Sequence, residues 1–250
     1  MKKIIVLNKK EGETPLEALE NFRKKHKKYK DLPITYAGRL DPMASGLLIL
    51  LSGEKIKEKE KYLKLDKEYD FEILFGFSTD TYDILGKVIH SNMGADFRMK
   101  ELEKKIKNNL KSFTGKLTQK YPAYSSKTVK GKPLFVYARS GIAVEIPERD
   151  IYIKNLKFLK IKTINNKNLL KNIERRINKV NGDFRQKEIL QIWRKYLSST
   201  SVEKFYIANF KIKCGSGTYV RGIANALGEK IDIPALAFSI KRTKIGKWKL

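Results

Sequence analysis

Apolar residues recur along this chain with two spacings, alternate positions and every third or fourth position, and the switches between them mark its elements. The run Ile4–Leu7 predicts a short buried strand. Thr14, Pro15 and Glu17 predict a helix start: the threonine can cap, the proline suits the first turn and the glutamate can close a capping box. Leu16, Leu19 and Phe22 follow at helical spacing, with a basic tail over Arg23–Lys30. Ile34–Ala37 and Leu47–Leu51 read as extended segments around a turn at GRLDP. Glu68–Phe77 alternates, with Tyr69, Phe71, Ile73 and Phe75 on one face of a half-buried strand. Ser78–Lys87 is turn-rich.

Farther along, Leu102, Ile106, Leu110 and Phe113 mark an amphipathic helix, whereas Thr114–Gly141 is basic, aromatic and broken by Gly115, Pro122, Gly131 and Pro133. That composition predicts a long surface segment, the kind that often carries function. Ile151–Ile164 predicts a strand. Two helical patterns, Leu169/Leu170/Ile173/Ile177 and Ile189/Ile192/Trp193/Tyr196, flank a break at Asn181-Gly182. Phe210, Ile212 and Cys214 alternate with polar residues, Val220–Ile231 is helical after the Gly215–Gly217 turn, and Ala235–Arg242 predicts the last strand. Strands and helices intersperse without regular alternation, so the expected class is α+β with a mixed sheet. No internal repeat or disordered linker is apparent.

Charge adds a partner to this picture. Lys and Arg total 54 against 27 Asp and Glu, a net charge of +27. Such a field attracts polyanions, RNA or DNA first and an anionic membrane surface second. The Lys- and Asn-rich usage of an AT-rich genome accounts for part of the excess, so composition alone leaves nucleic acid as a suggestion. One cysteine, Cys214, excludes an intramolecular disulfide, and the two histidines, His26 and His90, argue against a His-ligated metal. The start lacks a signal-peptide run and no stretch is long enough to span a bilayer, so a soluble cytoplasmic protein is expected.

The most informative stretch is ITYAGRLDPMASGLLILLSGE, residues 34–54. Asp41 precedes Pro42, which disfavours helical backbone at the aspartate, and Gly38 and Gly46 flank the turn. A carboxylate in such a loop can act as nucleophile or base, although an Asp-Pro pair by itself is more often a turn. GRLDPMASGLLILLSGE resembles the catalytic-aspartate motif of pseudouridine synthases, in the spelling of the TruB branch. KEYDFEILFGFSTDTYDILGKV (67–88), PAYSSKTVKGKPLFVYARSG (122–141) and GSGTYVRGIANALGEKI (215–231) resemble that family's later blocks, in the family's order.

The resemblance implies a pseudouridine synthase catalytic fold over residues 1–250, a mixed, mostly antiparallel sheet with flanking helices and an RNA-gripping insertion at 116–141. It implies that Asp41 attacks the target nucleoside, at C6 of the uracil or at C1′ of the sugar. Tyr69 matches the tyrosine that packs on the flipped base and is the candidate to remove the C5 proton. Arg221 matches the arginine that pairs with and orients the catalytic carboxylate. Tyr219 and Ile240 fall on substrate-side positions, and Tyr36 stands where the family commonly has a histidine stacked in the RNA. Lys116, Lys120, Lys127, Lys130, Lys132 and Arg139, interleaved with Tyr121, Tyr124, Phe135 and Tyr137, suit phosphate contacts and base stacking. The implied partner is the T-loop of tRNA, with uridine 55 as target, and the isomerisation needs no metal or organic cofactor. A monomer without an obligate protein partner is expected.

Three departures accompany the match. Tyr36 keeps an aromatic face in place of the histidine. The helical patterns over 165–201 look inserted, and GDFRQ (182–186) within them has no role that follows from its composition. The chain stops at Leu250, so the C-terminal PUA domain of many relatives is expected to be absent. Two other readings stay open: a ribosomal-RNA uridine, against which the Thr118–Gly141 block counts, and a non-catalytic tRNA-binding module, against which Asp41, Tyr69 and Arg221 count. The RNA-guided relatives fit less well, since they carry the C-terminal domain.

Overall fold

The computed structural model describes residues 3–91, 98–200 and 202–250. In chain order the strands are β1 (Ile4–Lys9), β2 (Ile34–Ala37), β3 (Ala44–Ser52), β4 (Lys67–Phe75), β5 (Phe77–Thr79), β6 (Val88–Ser91), β7 (Gly115–Lys120), β8 (Thr128–Val129), β9 (Lys132–Pro133), β10 (Glu148–Asn165), β11 (Lys204–Cys214), β12 (Ala235–Ile245) and β13 (Trp248–Lys249). The helices are α1 (Pro15–Lys25), α2 (Lys59–Leu63), α3 (Met99–Asn109), α4 (Leu134–Arg139), α5 (Asn166–Ile177), α6 (Gln186–Ser199) and α7 (Val220–Ile231). One sheet runs β1-β3-β12-β4-β11-β10-β7, with β2 joined to β3 and β13 to β12. Its pairings are antiparallel except β3 with β12, where Ile240, Lys241 and Arg242 lie beside Ala44, Ser45 and Gly46. The class is α+β with a mixed, mostly antiparallel sheet and flanking helices.

Alternation along β4 decides which helices each face receives. Tyr69, Phe71, Ile73 and Phe75 join Phe210, Ile212, Ala224 and Leu227 in one core, under α3 and α7. Leu74, Phe205, Ile207 and Phe238 point the other way and pack against Leu169, Ile173, Ile189 and Trp193 of α5 and α6. That second face is apolar only where those helices cover it. Beyond them the same strands carry facing charges, Lys162 with Glu72, Lys213 with Glu68 and Lys244 with Glu68, as alternation on a solvated face requires.

Several local expectations change. Pro15, Ala18, Leu19 and Phe22 form the buried stripe of α1, and Leu16 is 58% exposed at the mouth of a cleft. Leu110 and Phe113 lie on a 3-10 turn after α3. The strand read as Glu68–Phe77 breaks at Gly76, so Phe77 begins β5 and pairs with β6 in a separate sheet. The long surface segment expected over Thr114–Gly141 includes β7, the edge strand of the main sheet, and then the β8–β9 hairpin and α4. Composition marks that segment as exposed, but only a partner register with Glu148–Ile153 could show that part of it is strand.

Candidate active site

A cleft of about 1020 Å³ opens where the β2–β3 loop, the residues after β5, the loop after β7, the 183–185 turn and the start of α7 converge. The β2–β3 loop is tied down on both sides. The Gly12 amide donates to Pro42 O at 2.8 Å, and the Ala44 amide to Asp41 O at 3.0 Å. From β12 the buried Arg242 guanidinium donates to the carbonyls of Leu47, Arg39 and Gly38, at 2.7, 3.2 and 3.1 Å. The approach of β12 also explains Gly46: its φ is +106°, and a Cβ there would sit 2.3 Å from Arg242 O. Only glycine lets the strands pass so closely.

This scaffold presents Asp41 to the cleft. Its Oδ2 accepts from Arg221 Nε at 2.8 Å; the Asp41 side chain is 38% exposed and that of Arg221 only 3%. Arg221 also donates to Thr81 O at 2.6 Å and to Tyr124 O at 2.9 Å. The guanidinium therefore meets three chain segments at once, which fixes its plane and leaves the other carboxylate oxygen of Asp41 outside this hydrogen bond. Arg221 stands in the first turn of α7, where the helix dipole disfavours a cation. Burial works against its charge as well, but the attraction of Asp41 and Asp83 outweighs it and holds the arginine pKa above its ordinary value.

Asp83 is another carboxyl lining the cleft, and it is buried. Its Oδ1 accepts from Thr81 Oγ1 at 2.8 Å and from the Leu85 amide at 2.9 Å. Burial, partly offset by Arg221 and reinforced by Asp41, pushes its pKa from 3.8 to about 6. Lys67, also on the wall, is pulled down to about 8 by burial and donates to Leu63 O and Leu65 O. Burial raises the Tyr69 phenol, and the charge of Arg242 acts in the opposite direction.

The cleft brings together Asp41, Tyr69, Arg221, Tyr36, Tyr219 and Ile240, and Arg139 lies on its rim. Tyr219 caps α7 and is clamped from β7: its amide donates to Gln119 Oε1 at 2.9 Å, and Gln119 Nε2 donates to its carbonyl at 3.0 Å. Its ring meets Tyr121 edge-on, centroids 5.7 Å apart. Lys116, Lys120, Lys127, Lys130 and Lys132 do not line the cleft; all five are exposed, on β7 and around the β8–β9 hairpin. Arg139 is engaged with Asp183, Lys120 is 3.9 Å from Glu148, and Lys127 lies over the Tyr121 ring.

Several residues in or beside the cleft have no role that the sequence assigns. Asp80 and Asp83 fall in the STDTYD block, which reads as a turn, and Arg242 in a strand from which only Ile240 is expected at the site. Arg149 faces the Gly217 turn, with its Nε buried and unpartnered among the described residues. Arg185, from the unexplained GDFRQ stretch, joins Asp80 and Tyr124. The signal for Arg185 is a polar pentapeptide interrupting two amphipathic helices; its target, about a hundred residues earlier, is not readable.

Comparison with known proteins gives the geometry a family. Residues 24–183 match the model of the TruB family pseudouridylate synthase N-terminal domain, more than half of the chain. The chain belongs to the TruB family. Over 240 residues it is 33% identical to tRNA pseudouridine synthase B of Lactobacillus acidophilus, covering 96% of this chain and 67% of that relative. The enzyme of the same name from Caldicellulosiruptor saccharolyticus is 30% identical over 98% of this chain and 68% of its own length. Among solved structures, the Cbf5–Nop10–Gar1 complex contains a chain of like fold, with TM-score 0.57 and 17% identity over 98% of this chain and 49% of that one. That likeness concerns the TruB fold alone. Among the described residues no helix is long and apolar enough to cross a membrane.

Proposed function

We propose that this protein isomerises a uridine of tRNA to pseudouridine, and that the uridine is position 55 of the T-loop. The observation that carries the reading is the Asp41–Arg221 pair, a half-exposed carboxylate oriented by a buried guanidinium on the floor of a cleft large enough for a nucleotide. The shared name of the bacterial relatives favours tRNA over ribosomal RNA, and the net charge of +27 suits a polyanion.

In this reading the nucleoside leaves its stack and enters the cleft, at a cost of a few kcal/mol that packing against Tyr69, Ile240 and Tyr219 offsets. Asp41 attacks at C6 or at C1′; on either route the N1–C1′ bond breaks, the base turns, a C5–C1′ bond forms and the bond to Asp41 breaks again, which frees the carboxylate. The C5 proton leaves, N1 gains one, and the formula is unchanged. Tyr69 has two tasks. Its ring is a packing surface, and burial keeps the phenol neutral for that purpose. To accept the C5 proton it must be the phenolate, the form that burial disfavours and the charge of Arg242 favours. Lys116, Lys120, Lys127, Lys130, Lys132 and Arg139 grip the RNA backbone, and Tyr36, on the cleft wall, stacks in the RNA.

The deciding experiment is incubation of the purified chain with unmodified tRNA, followed by mapping of pseudouridine at nucleotide resolution. One new pseudouridine, at position 55, is expected. Pseudouridine only in ribosomal RNA would replace the substrate, and binding without any isomerisation would leave a tRNA-binding module.

A further inference from the structure

Arg185 is one of the charged side chains of the cleft that the proposed chemistry leaves unused. It caps α6 with φ 63° and ψ 25°, the left-handed region that a residue with a side chain seldom occupies. Its guanidinium grips Asp80 with two bonds, at 2.7 and 3.2 Å, and donates to the Tyr124 hydroxyl at 2.7 Å. It also lies over the Tyr124 ring, 4.2 Å from the centroid. The Arg185 and Asp80 side chains are largely buried, 15% and 20% exposed.

The partners are the telling part. Tyr124 gives its carbonyl to Arg221, and so does Thr81, the residue after Asp80. Arg185 thus cross-links, side chain to side chain, the two segments whose backbone oxygens set the plane of Arg221. Arg221 in turn holds Asp41. Asp80 Oδ1 also accepts from the Lys87 amide at 2.9 Å, so the clamp has a rigid anchor. Next to Arg185, Asp183 engages Arg139 of α4. A role as a phosphate contact fits the geometry poorly, because the guanidinium is already shared among three acceptor atoms and its charge is matched by Asp80.

We propose that Arg185 is a positioning residue for the isomerisation: it holds the 80–81 and 124 segments at the separation Arg221 needs, so that the α5–α6 segment sets the orientation of Asp41. The proposal rests on the reading that Asp41 is the attacking group. A misplacement of that group by a fraction of an ångström is enough to slow the reaction without weakening RNA binding.

The test is single-turnover pseudouridine formation on unmodified tRNA by the full chain, with RNA affinity and urea unfolding measured in parallel. Arg185→Gln and Asp80→Asn are each expected to lower the saturated rate on the order of 10- to 100-fold while the tRNA dissociation constant stays at the parent's value. The double variant should be no slower than the worse single one, because both remove the same link. Arg185→Lys keeps the charge but not the fork and should fall between. Leu197→Ala, in the core at the opposite end of α6, should lower the urea midpoint yet keep the parent rate. A parent-like rate for Arg185→Gln overturns the proposal, as does a rate loss matched by Leu197→Ala. Weakened RNA affinity with a parent rate at saturation overturns it too, by making Arg185 an RNA contact. If the parent itself forms no pseudouridine in tRNA, the functional reading falls and takes this role with it.

Discussion

The floor of the cleft and the basic outer rim carried by β7 and the β8–β9 hairpin handle charge in opposite ways. On the floor, Arg221 and Arg242 are buried and every guanidinium nitrogen they use is directed at a fixed acceptor, a carboxylate or a backbone carbonyl. On this outer rim, beyond the residues that line the cleft, Lys116, Lys130 and Lys132 are exposed and have no acidic partner among the described residues. Burying an ion costs several kcal/mol unless its partners are well placed, so a buried arginine is retained where geometry matters more than stability. An exposed lysine keeps its water and can exchange it for a phosphate oxygen at little cost. The floor is built for orientation and the rim for attraction, and the two should fail differently when altered.

The largest failure should come from Asp41→Asn. The substitution keeps the shape and one acceptor for Arg221 but removes the charge that attacks the nucleoside. Turnover is expected to fall on the order of 10⁴-fold or more, as when other covalent nucleophiles are removed, with tRNA affinity held. Single-turnover assays and filter binding on the same preparations check both halves. Residual turnover near the parent's would remove Asp41 from the mechanism, and a loss of affinity comparable to the loss of rate would erase the distinction between floor and rim.

The rim should answer in the other measurement. Replacing Lys116, Lys130 and Lys132 together by glutamine removes three cations with no ion pair to break. Each cation withdrawn from a phosphate should flatten the slope of log affinity against log salt by about 0.7–0.9, so the triple variant should bind with a slope shallower by about 2 to 3. The saturated rate should match the parent's. A slower rate at saturating RNA, or an unchanged salt slope, would show that these lysines are not a simple electrostatic rim.

These two groups also differ in how far the sequence exposes them. Asp41 stands in a contiguous motif, and the alternation of Tyr69, Phe71, Ile73 and Phe75 settles the face of β4, because both signals are local. The basic-aromatic run over 116–141 shows exposure and charge, but its β7 portion needs β10 as a partner, which no local pattern declares. The floor's remaining parts are pairings across long stretches of chain: Arg242 with the carbonyls of Gly38 and Arg39, and Arg185 with Asp80. Carbonyl acceptors have no residue identity, so a sequence can show the arginine and never its target. Leu16 fails for the converse reason: helical spacing assigns it to the apolar set, but α1 meets the sheet about Leu19 and Phe22, which turns Leu16 to the cleft.

Asp83 offers the smallest and finest test, since it is a floor residue whose charge is disfavoured. Its carboxyl pKa lies at about 6 in the fold against 3.8 for an exposed aspartate, chiefly through burial. An acid with a raised pKa binds its proton more tightly when folded. Folding is therefore penalised as pH rises from about 4, where the folded carboxyl is protonated and the unfolded one is beginning to ionise, to about 6, above which the full penalty applies. At about 1.4 kcal/mol per pH unit the penalty is about 3 kcal/mol, as an order of magnitude. Asp83→Asn removes it and keeps the Oδ1 that accepts from Thr81 and Leu85. The stability difference between variant and parent, from urea unfolding, should be near zero at pH 4, favour the variant increasingly up to pH 6, and stay level above it. A difference that does not change with pH would mean that Asp83 ionises freely beside Arg221, and that the floor tolerates a second carboxylate as readily as it orients the first.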